Sequence, residues 1–72
     1  MTGASYEDAE AATAILAAEI SHHPELRGIG IAVLDEGFGV KVNLSCPVAW
    51  TVPDRVNGVP VVVQIVGTVR PL

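Results

Sequence analysis

The chain has 72 residues, a single cysteine and a formal net charge of −4. That length holds one small domain, 1–72, whose lone core is only marginally stabilising, and one thiol excludes an internal disulfide. Its four cationic residues, Arg27, Lys41, Arg55 and Arg70, are scattered, which argues against DNA, RNA or an anionic membrane as partner, since such partners are held by clustered positive charge.

The mean hydropathy is +0.48, yet the longest unbroken apolar run is Ala14-Ile15-Leu16-Ala17-Ala18, far short of the roughly 20 residues of a membrane span. Glu7, Asp8 and Glu10 stand where a secretory leader would be basic. The reading is a soluble cytoplasmic protein, although an exported chain with its signal removed would look the same.

Residues 1–4 read as a disordered lead-in. Ser5 then fits a helix N-cap with Asp8 three residues on, a shortened capping box in which two side chains satisfy free backbone donors. The nearby acidic residues favour the positive end of the helix dipole. The Ala-rich helix is expected from about Tyr6 to Ser21. Tyr6, Ala9, Thr13, Leu16 and Ile20 form its apolar stripe, widened by Ala12 and Ile15. Pro24 disfavours helical geometry in His23 and ends the helix near His22.

A first strand is expected over 28–34. Ile29, Ile31 and Val33 share one face, while Gly28, Gly30, Ala32 and Leu34 form a small-residue face that a helix backbone can approach closely. A second strand over 39–45 puts Val40, Val42 and Leu44 inward and Lys41 and Asn43 toward solvent. Asp35-Glu36-Gly37 joins them as a tight hairpin, with Gly37 supplying a positive φ. Residues 46–58, with Pro47, Pro53 and the turn pair Asn57-Gly58, read as loop. Trp50 is expected to fold back over the sheet; exposure to a partner is the alternative. A third strand over 59–69 is rich in Val, starts at Pro60 and is apolar on both faces, the mark of a strand covered on both sides. Gly67, Pro71 and the chain end stop it.

The fold class is therefore α+β: one N-terminal helix packed on a three-stranded sheet, in the order α-β-β-β. About fourteen residues separate the second and third strands, more than a hairpin needs. A crossover giving sheet order 2-1-3 is favoured over a meander of order 1-2-3.

The pairing of Gly28-Ile29-Gly30-Ile31 with a second strand, followed by Val52-Pro53-Asp54-Arg55-Val56-Asn57-Gly58-Val59-Pro60-Val61, resembles a unit of small uncharacterised bacterial α+β proteins. It is also similar to the non-catalytic segment that precedes some bacterial trypsin-like peptidase domains. The resemblance spans roughly 28–67, rests on common turn and strand residues and implies a compact αβ unit. It implies no catalytic residue, because serine-peptidase chemistry needs a nucleophile, a base and an orienting acid on a much larger scaffold.

The residues that carry chemistry are few. His22, His23 and Cys46 are ligand types that zinc uses, but adjacent histidines on one element point different ways and a structural site wants four ligands. The two imidazoles read as surface groups at a helix C-terminus. Cys46 reads as a buried, inert thiol, with a Cys46–Cys46 bridge between chains as the alternative. Asp35, Glu36 and Asp54 read as solvated turn carboxylates. Gly28-x-Gly30 lacks the following helix of a phosphate loop. No catalytic, cofactor-binding or metal-ligating residue is assigned, and no cofactor is implied.

A short sheet leaves unpaired edges. The expected function is that of a small non-enzymatic module that binds a protein partner or itself, a homodimer through a strand edge being one form of it. The alternative is a carrier of a small ligand or metal at the His22, His23 and Cys46 region. It predicts that replacing both histidines by Ala releases the ligand and spares the fold.

Overall fold

A computed structural model describes residues 4–66. Helix α1 (Tyr6–Ile20) is followed by strands β1 (Leu26–Leu34), β2 (Gly37–Leu44), β3 (Arg55–Val56) and β4 (Val59–Ile65). The fold is α+β with a mixed sheet of four strands in the order β1-β2-β4-β3. No helix among the described residues is long and apolar enough to cross a membrane.

The helix begins where its cap dictates. The Asp8 amide donates to Ser5 Oγ at 3.1 Å and the Ser5 amide donates to Asp8 Oδ2 at 3.3 Å, completing the capping box. Ala9, Ala12, Leu16 and Ile20 are buried, but Ile15 is 42% exposed and Tyr6 52%, so the buried stripe is narrower than the sequence suggests. Tyr6 still meets Phe38 edge-to-face, with ring centroids 5.5 Å apart. The lead-in is not wholly loose: the Phe38 amide donates to the Ala4 carbonyl at 2.9 Å. Residues 1–3 lie outside the described residues.

The β1–β2 hairpin forms as expected. Leu34 pairs with Gly37 around Asp35-Glu36, and Gly37 has φ 149°. The helix, however, packs on the opposite face of the sheet from the one expected. Val40, Val42 and Leu44 are fully buried, and Ile29 and Ile31, which pair opposite Val42 and Val40, pack against them. The small face is open at Gly30, where a Cβ would meet nothing within 4 Å, whereas Asn43, expected toward solvent, has its Oδ1 buried on that face. The small residues that permit close approach are on the helix itself, at Ala9 and Ala12, so the strand can contribute its bulky side.

The sheet order 2-1-3 is corrected. The chain does cross over after β2, but β4 returns beside β2 and parallel to it, with Val40 opposite Val61 and Leu44 opposite Ile65. A parallel neighbour needs a connection that returns the full strand length, and residues 45–58 supply it. Val48, Trp50 and Val52 on the way pack against the core. The connection also contains β3, a strand within the residues whose composition reads as loop. It pairs with the start of β4 through Val56–Val59 and Arg55–Pro60. The turn between them is Asn57-Gly58, with φ of 50° and 79°. Two positive φ values make a turn whose twist matches a hairpin.

The expectation of a last strand covered on both faces is corrected as well. Val62, Val63, Ile65 and Val66 are 40 to 46% exposed. The helix lies over β1 and β2, and β3 is too short to cover more than the beginning of β4. The strand's expected continuation to 69, and its stop at Gly67 and Pro71, lie outside the described residues.

Candidate interaction edge

The residues singled out for chemistry do not converge. His23 lies against Trp50 with ring centroids 3.9 Å apart and planes 13° from parallel, and His22 lies tilted against His23 at 4.1 Å. Trp50 Nε1 donates to Glu25 Oε1 at 3.3 Å. This ladder fastens the crossover to the turn between α1 and β1, where the Ser45 amide also donates to the Glu25 carbonyl at 2.9 Å. Trp50 thus folds back, as expected, and Glu25 is the partner that the sequence reading missed; no spacing rule links residues 25 positions apart. Cys46 is exposed and not buried, because it sits on the bend that leaves β2. Its contact is with Ser45 Oγ at 3.8 Å. Among the described residues no three His, Cys, Asp or Glu side chains gather where they could hold a metal ion.

At the opposite end of the molecule, an open hollow of about 780 Å³ lies between the β1–β2 turn, the β3–β4 turn and the start of α1. Its polar rim includes Asp8, Asp35, Glu36 and Arg55. Asp8 is committed to the helix cap and Arg55 Nη1 donates to the Gly58 carbonyl at 3.4 Å. Two of these four side chains are therefore occupied locally, one in the helix cap and one in the β3–β4 turn.

The feature that remains is the outer edge of β4. The Val66 amide points inward, donating to the Leu44 carbonyl at 2.8 Å, and the Val61 amide points outward, donating to the Asp54 carbonyl at 2.8 Å. Successive residues of a strand turn to opposite edges. Val63 and Ile65 therefore direct both main-chain groups outward, where no described strand pairs with them. Residues 59–66 carry no charged side chain. Natural sheets protect an exposed edge with charge, proline, a bulge or brevity. On β4, proline stands only at Pro60, inside the part that β3 covers.

Comparisons were made with family models, with curated proteins and with solved structures. None gives a match. The site accordingly stands on its own geometry, and the edge takes its meaning from the strand that forms it.

Proposed function

We propose that the protein is a non-enzymatic interaction module that accepts a partner's strand along the outer edge of β4. The observation that carries this reading is that Val63 and Ile65 face outward with no main-chain partner among the described residues, on an uncharged, β-branched strand. Strand addition supplies main-chain hydrogen bonds for affinity and uses alternate side chains for selectivity. The side chains on offer are Val63 and Ile65 on the helix side of the sheet, where they continue the row of Val42 and Leu44, with Val62 and Val66 on the other side.

The test is a photo-reactive amino acid placed at Val63 and, as comparator, at Val33 on β1, followed by irradiation of cells that express the protein. Defined crosslinked species from position 63 and none from position 33 support the reading. Equal labelling from both positions, or none from 63, refutes it.

A further inference from the structure

We infer that the strand which fills this edge is β4 of a second copy of the chain, paired antiparallel about a two-fold axis at Gln64. The inference rests on the edge reading above and names the occupant.

The register follows from which main-chain groups are free. Val61 is already bonded outward to Asp54, so among the described residues the usable outward positions are Val63 and Ile65. Consider two identical strands of this kind laid antiparallel. If the axis passes through Val63, Ile65 faces Val61 of the second copy, whose amide is taken. If it passes through Gln64, Val63 faces Ile65 of the second copy and the reverse, and each facing pair exchanges both of its main-chain hydrogen bonds. Every free outward group among residues 62–66 is then satisfied, and the pairing stops at the slot that Asp54 occupies beside Val61. Such an interface is isologous, with the same patch on both subunits.

The side chains fit that register. Val63 meets Ile65 on the helix side, next to the buried row of Val42 and Leu44, and Val62 meets Val66 on the other side. Gln64 meets its own copy at the axis, where two side-chain amides can exchange hydrogen bonds. Each chain carries a net charge of −4, which penalises most self-contacts, yet no like charges oppose one another along this strand. The two sheets merge into one continuous sheet, and the apolar side chains now 40 to 46% exposed gain cross-strand neighbours that shield their flanks.

The experiment combines mass and register. Sedimentation velocity across a concentration series is expected to show the 7.5 kDa mass doubling as concentration rises. Single cysteines are then placed at Gln64, Val62 and Val33 in a Cys46→Ser background. Residues facing across an axis of this type lie about 4.5 Å apart at Cα, within disulfide range. Gln64→Cys is therefore expected to form a disulfide-linked dimer roughly tenfold faster than Val62→Cys or Val33→Cys. Gln64→Lys, at an exposed position, is expected to restore the monomer, with a thermal melt that matches the parent chain's at concentrations where both are monomeric. A monomer at every concentration overturns the inference. If position 63 still crosslinks to some other protein, the module reading survives and only self-pairing falls. A dimer whose Gln64→Cys variant crosslinks no faster than the other two overturns the register.

Discussion

The two edges of this sheet are built differently. Among the described residues β1 pairs with β2 alone, and β4, flanked by β2 and the two-residue β3, lacks an outer strand beyond Pro60; the β1 edge, however, is broken in several ways. A register shift between Leu26 and Gly28 leaves Arg27 as the extra residue of a bulge, with its charge exposed. Gly28, Gly30 and Ala32 follow, residues that pack weakly in strands. β4 has none of these devices beyond Val61, and a run of β-branched residues in their place. A bulge, a charge and glycines discourage an added strand, whereas an uncharged β-branched edge templates one. The lesson is that edge chemistry, and not edge availability, decides whether an edge resists or tolerates an added strand.

The comparison can be broken most severely at the support that both edges share. Leu16 is fully buried under the sheet, and Leu16→Ala is expected to cost about 3 kcal/mol. For a chain this small that is much of its stability, so urea unfolding should shift far toward lower concentration and both edges should lose protection together. A shift of only a few tenths of a kcal/mol would mean that the helix contributes little to holding the sheet.

A smaller and one-sided effect is expected at Gly39. A Cβ there would come within 2.8 Å of Leu34 Cδ1 and 2.9 Å of the Pro60 carbonyl oxygen. The leucine tip can swing away, but the Pro60 backbone cannot, so the strain falls on β4. Gly39→Ala is expected to destabilise by about 2 kcal/mol. Native-state hydrogen exchange should show the β4 amides opening more readily than those of β1. Equal loosening of both strands would contradict the asymmetry.

The β3 cover can be loosened alone. Gly58 has φ +79°, where an L side chain is disfavoured, so Gly58→Ala is expected to cost about 1 kcal/mol. The Val61 amide should exchange faster and the available edge should lengthen toward Pro60. An unchanged Val61 rate would show that Asp54 holds its slot without the turn. The smallest effect is expected on the blunted side. Val33 is 81% exposed, and Val33→Lys should alter stability by less than about 0.5 kcal/mol and leave the sedimentation behaviour as it was. A loss of self-association in that variant would move the interface to the wrong edge.

Much of the local structure was legible in the residues themselves. The Ser5–Asp8 cap, the stop before Pro24, the Asp35-Glu36 hairpin and the Asn57-Gly58 turn each depend on groups within a few positions of one another. The Val-rich β4 was also legible as a strand. Its exposure was not, since an apolar run looks the same whether a helix covers it or a second molecule does. The candidate site was only partly readable: an open edge was foreseeable from the short sheet, while the two residues that form it were not.

Sequence alone thus determined α1, β1, β2 and β4 as elements, the turns between neighbouring residues and the absence of charge along β4, because those follow from short-range sterics, hydrogen bonding and composition, while β3 depended on pairing that the loop composition concealed. The tertiary structure decided the rest. It placed β4 parallel beside β2, seated the helix on the bulky face, stacked Trp50 on His23 and occupied Val61 with Asp54. Those outcomes depend on contacts between residues far apart in the chain, where a crossover of given length permits several sheet orders and the packing of the whole molecule selects one.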